Sequence, residues 1–129
     1  MTLLQDVLDH ARRLPGVRED FPFDLETLTL KVAGKIFLLT SLRADPVRLN
    51  LKCDPERALE LRARYPDHVL PGYHMNKRHW NTLVLDGTLP RTLVEELIDH
   101  SYARVLAGLP RSLRRSLLNE ETRGRGGAP

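Results

Sequence analysis

The sequence predicts an α+β fold, an antiparallel β-sheet packed against N- and C-terminal helices. Two patterns lead there: period-two alternation in segments joined by hairpin-length links, and apolar residues at helical spacing towards both ends of the chain. The length, 129 residues, adds a third constraint, since it supports one buried core and not two.

The elements follow in order. Thr2 and Gln5 form a capping box, and Leu3, Leu4, Val7, Leu8 and Ala11 recur at helical spacing until "LPG" ends the first helix. "TLTLKV" alternates, placing Leu28, Leu30 and Val32 on one side. "AGK" supplies a Gly turn and "IFLLTSL" is a β-rich run, so the pair reads as a hairpin. "VRLNLKC" sets Val47, Leu49, Leu51 and Cys53 inward against Arg48, Asn50 and Lys52 outward.

Asp54-Pro55 is a helix start, an N-cap followed by the residue best tolerated at the first helical position, and Pro66 limits that helix to about Arg64. "HVLPGYHM" is extended or turning, broken at Pro71-Gly72, and leads into "HWNTLVLDG", a strand closed at Asp86-Gly87. From Pro90 to Leu109 a 3.6-residue apolar stripe predicts a long helix covering one sheet face. "RSLRRSLL" reads as a short amphipathic helix. One domain over 1–118 and a disordered Arg/Gly-rich tail over 119–129 are expected.

Hydrophobic content of 41% with 29% charged residues is that of a globular protein, and no segment approaches the roughly 18 apolar residues of a membrane span. The N-terminal stretch lacks the basic lead, apolar core and cleavage site of a secretory signal. The lone Cys53 forms no intramolecular disulfide. A cytoplasmic protein without a membrane partner is expected. The net charge of +3 is unevenly spread: Met1 to Pro110 carries 15 Lys and Arg against 15 Asp and Glu, and the excess lies from Arg111 onward. Phosphate affinity in the core therefore requires cations gathered on one surface.

The stretch "PGYHMNKRHWNTLVLDG" concentrates such groups. Lys77 and Arg78 are suited to phosphate, Asn76 to a base edge or a phosphate, and His74, His79 or Trp80 to stacking. Lys35 in the hairpin turn and Lys52 on the third strand extend the set if the fold brings them near. Each residue also has a structural reading. Trp80 suits a core or sheet-face anchor, His74 and Asn76 can satisfy backbone groups at the Pro71-Gly72 break, and Lys77 and Arg78 can occupy a solvated turn.

Metal binding and catalysis find less support. His74 and His79 are five apart, with no acidic or Cys ligand between them and cations beside them. A base, an electrostatic stabiliser and an orienting Asp86 can be named, but no nucleophile and no Gly-rich phosphate loop. Cys53 reads as a small buried hydrophobe, and Ser101 and Tyr102 as packing residues with bonded hydroxyls. No catalytic residue, metal or cofactor is expected.

With these residues placed, "LTLKVAGKIFLLTSL", "LNLKC", "GYHMNKRHWN" and "LVEELIDHSYARVLAGLP" together resemble the MmcQ/YjbR-like family of small bacterial proteins, from about Gly16 to Pro110. The resemblance implies a frataxin-like α+β fold, a sheet flanked by helices, and DNA binding of a double-wing type. The arginine-rich end has no counterpart in the family's shared core. The expected function is a non-enzymatic DNA-binding protein using Lys35, Lys52, His74, Asn76, Lys77, Arg78 and His79. The alternative is an adaptor that binds a protein or small-molecule ligand through the Gly72–Asn81 loop.

Overall fold

The computed structural model describes residues 4–72 and 75–117. The Thr2 cap, His74 and the tail from residue 119 lie outside the described residues. In chain order the elements are α1 (Leu4–Arg12), β1 (Val17–Asp20), β2 (Thr27–Val32), β3 (Lys35–Ser41), β4 (Val47–Lys52), α2 (Pro55–Arg64), β5 (Val69–Pro71), β6 (Trp80–Leu85) and α3 (Arg91–Ala107). Residues 111–117 are also helical and are called α4. The strands form one sheet in the order β1-β2-β3-β4-β6-β5, with every neighbouring pair antiparallel. The predicted α+β class is the one observed.

Alternation divides the sheet into two unlike faces. Leu28, Leu30, Val32, Leu38, Leu49, Leu51, Leu83 and Leu85 point to the core, where they meet Val7, Leu8 and Ala11 of α1, Ala58 and Leu61 of α2, and the stripe of α3. Phe37 and Leu38 are both fully buried because the β2–β3 register shifts between Leu30 and Lys31, leaving Phe37 as the unpaired residue of a bulge. The Phe37 ring meets Tyr102 of α3 edge-on, with centroids 5.5 Å apart.

The bulge also interrupts the β3–β4 ladder, whose last pair on this side is Leu38 with Leu51. Ser101 of α3 supplies the next rung: its hydroxyl donates to the Phe37 carbonyl and accepts the Lys52 N–H at 2.8 Å. Tyr102 donates to the Pro15 carbonyl. Both hydroxyls are bonded to backbone, as the sequence predicts for packing residues.

One strand is absent from the sequence prediction. The edge strand β1, "VRED", has an exposed side-chain pattern after Val17, so no apolar alternation betrays it. Its charges suit an edge, where unpaired backbone otherwise invites association. At the opposite edge β5 is three residues long and ends in Pro71, a residue that an edge strand tolerates.

Candidate nucleic-acid interface

The antiparallel register gives the sheet two ends. The β2–β3 turn, the end of β4 and the start of β6 share one of them, called here the hairpin end; Asp20, Ser41, Val47 and Leu85 mark the far end. The hairpin turn is Ala33-Gly34, both with positive φ (50° and 78°), the two-residue turn whose twist matches the flanking strands. Lys35 follows it and is exposed. Lys52 closes β4 and lies opposite Trp80 in the register. Asn76, Lys77 and Arg78 form the exposed turn that feeds β6. Four of the predicted cations therefore lie along one end of the sheet.

The turn before β6 is held from several sides. Asn76 Oδ1 accepts the Arg78 N–H at 3.0 Å, and the Asn76 carbonyl accepts from His79 N. Arg62 of α2 donates to Asn81 Oδ1 at 2.7 Å, to the Trp80 carbonyl at 3.2 Å and to the Lys77 carbonyl. Gly72 N–H bonds to the Trp80 carbonyl at 2.9 Å, and a Cβ at Gly72 would meet Trp80 Cβ at 2.7 Å. Only glycine fits this crossing of the two strands. Asn76 thus has the structural role that the sequence offers as one of its two readings. Arg62 is a positioning residue that sequence reasoning missed, since nothing in "PERALELRAR" distinguishes it from a solvated helix arginine.

The predicted residues differ in what they offer a ligand. Among the described residues, Lys35, Lys52, Lys77 and Arg78 have no carboxylate within 4.0 Å. Lys77 Nζ lies 3.4 Å from the Gly72 carbonyl. His79 is half-buried, its carbonyl accepting the Cys53 N–H at 2.7 Å and its Nδ1 enclosed without a partner among the described residues. It extends the β4–β6 pairing more than it presents a ring to solvent. Trp80 alternates onto the face away from the helices and is half-exposed, a sheet-face residue outside the core. Lys77 and Arg78 share a shallow groove with Pro55, Leu59 and Glu56 of α2, and among the described residues Glu56 is its only carboxylate.

Residues behind the interface fix β4 and α2. Asp54 caps α2 by accepting the Arg57 N–H at 3.2 Å, and its own N–H donates to His100 Nε2 at 3.1 Å. Burial first, then the charges of Arg57 and Arg104, hold the His100 pKa below the ordinary histidine value, which suits a ring accepting a hydrogen bond. Cys53 is buried at 3% exposure, and burial raises its thiol pKa, consistent with the apolar role predicted for it. Among the described residues, no group of three or more His, Cys, Asp or Glu is placed to hold a metal ion.

The YjbR family model matches residues 12–104. The chain belongs to the YjbR family. It is 31% identical to YjbR of Escherichia coli K12 over 115 residues, covering 89% of this chain and 97% of that protein. It is 41% identical to YbdF of E. coli O157:H7 over 100 residues, covering 77% and 80%. Among solved structures, Deinococcus radiodurans DR2400, a DUF419 domain, superposes with a TM-score of 0.85 at 43% identity, covering 91% of this chain and 88% of that one. A Pseudomonas syringae protein superposes with a TM-score of 0.64 at 25% identity, covering 78% and 96%. The relatives are bacterial proteins, and the α+β architecture is shared with the DR2400 structure.

Proposed function

We propose that this protein binds nucleic acid, without catalysis, through the hairpin end of its sheet. One observation carries the reading: Lys35, Lys52, Lys77 and Arg78 line a single end of the sheet with no neutralising carboxylate within 4.0 Å among the described residues. Cations so placed recognise a phosphate chain, which meets several of them at once. Two projecting turns, Ala33-Gly34 and residues 76–79, stand at this end, which supports a double-wing mode on a frataxin-like scaffold. α4 adds Arg111, Arg114 and Arg115 to the same region, since Leu113 and Leu117 face Ala33 and Gly34 across a small cleft. DNA in the cytoplasm is the partner; among the described residues no helix is long and apolar enough to cross a membrane.

Fluorescence anisotropy of a labelled DNA duplex at several salt concentrations tests this. Affinity should fall log-linearly with salt, by about 0.9 per phosphate engaged, so four engaged cations give a slope near about −3.6. Failure to bind at low salt would refute it.

A further inference from the structure

The sheet face turned away from the helices is not flat. A concavity of about 550 Å³ opens on it, in the range of about 300–1,000 Å³ typical of small-molecule sites. Its walls are chiefly apolar: Ile36 and Leu39 from β3, Phe23 from the β1–β2 loop and Met75 from the segment before β6. Phe23 is 67% exposed, a large aromatic left in water at the rim. The floor is polar and already organised. Thr82 donates to Asn50 Oδ1 at 2.6 Å across β4 and β6, and the Asn50 amide reaches the Leu39 carbonyl at 3.4 Å. Both residues are buried although they lie on the helix-free face.

Among the described residues, Arg48 is the only charged one lining this concavity, and none of their carboxylates lies within 4.0 Å of its guanidinium. Thr27 and Ser41 add hydroxyl groups nearby. We propose that this recess binds a small organic carboxylate, its apolar body against Ile36, Leu39, Phe23 and Met75 and its carboxylate on Arg48. The sign of the ligand follows from the Arg48 guanidinium, and its carbon-rich body from the walls. A flat protein partner would leave a recess of this size unfilled, at the cost of the packing contacts that interfaces normally make. Arg48 lies in the far-end half of β4, away from Lys52, so the charged end of the recess is apart from the proposed nucleic-acid surface even though Ile36 and Met75 adjoin Lys35 and Asn76, and the proposal stands whether or not that reading holds.

The chain's two methionines, Met1 and Met75, provide a direct probe. The full chain with ¹³C-labelled methionine methyls would be titrated with sodium octanoate, octan-1-ol and octylamine, the Met75 signal being assigned by Met75→Leu. Octanoate should shift Met75 saturably and bind about tenfold more tightly than octanol, the scale of one charge-assisted hydrogen bond. Arg48 is exposed, so Arg48→Gln should keep the amide spectrum of the folded protein and reduce octanoate to the level of the alcohol. No saturable shift of Met75, equal binding of the three probes, or an octanoate affinity indifferent to Arg48→Gln would overturn the proposal.

Discussion

The two ends of the sheet share the same strands and differ in what their charges do. At the far end carboxylates build turns. Asp24 accepts the N–H groups of Glu26 and Thr27, Asp86 accepts from Thr88 N and meets His68, and Asp20 accepts from Phe21 N and pairs with Lys31. Those hydrogen bonds lower the pKa of all three acids, Asp86 to about 2. Of the cations there, Arg43 is paired with Glu26, while Arg48 turns to the recess on the helix-free face. At the hairpin end the turns are built by Gly34, Asn76 and the Arg62 side chain, and of the exposed cations only Lys77 reaches that framework, at the Gly72 carbonyl. A chain whose first 110 residues balance in charge can thus carry cations at one end that pair with no described carboxylate within 4.0 Å, although Glu56 shares a groove with two of them.

Perturbing the scaffold of the hairpin end should have the largest effect. Gly72→Ala forces its new methyl against Trp80 and should cost about 3 kcal/mol in urea denaturation. An unchanged midpoint would mean that the strand crossing is looser than described. Arg62→Ala strips a donor from Asn81 Oδ1 and from two carbonyls, at about 2 kcal/mol, and should weaken DNA binding by releasing the turn that carries Lys77 and Arg78.

Removing the cations themselves separates binding from folding. Lys77→Ala with Arg78→Ala should change stability by no more than about 0.5 kcal/mol. The same pair should lower DNA affinity at least about tenfold and reduce the salt slope by about 1.8. Arg43→Ala at the far end should leave the slope unchanged; equal losses from both ends would erase the distinction between them.

The smallest effect concerns acid. Asp86 has a folded pKa of about 2, below the unfolded value of about 3.9, so its contribution is complete above pH about 4 and is lost as pH falls through 2. Asp86→Asn should therefore flatten the decline of melting temperature on that acid limb. A limb as steep in the variant as in the parent would assign the pH dependence to other carboxylates.

Much of the scaffold is legible in the sequence because its strands have one apolar side: Leu28, Leu30 and Val32, then Leu49 and Leu51, repeat every second residue. The α2 start is equally plain in Asp54-Pro55, where the cap bond to Arg57 forms. β1 is not legible, since a charged edge strand has no such side. The site is legible only as residue types. That Lys35 shares an end with Lys77, over forty residues away in the chain, follows from antiparallel register, which alternation alone does not set. The recess opposite the helices was hidden for a related reason: "IFLLTSL" is apolar on both sides of β3, and the sequence shows no difference between residues buried under helices and Ile36 or Leu39 left over a cavity.

The central claim is that nucleic acid meets this protein at one end of its sheet. Amide chemical-shift mapping of the ¹⁵N-labelled chain with a short DNA duplex at low salt tests it most directly. Shifts concentrated at Lys35, Lys52, Asn76, Lys77 and Arg78, fading towards Ser41, Val47 and Leu85, are the predicted result. Shifts centred on the far end, or none within the folded core, would contradict it.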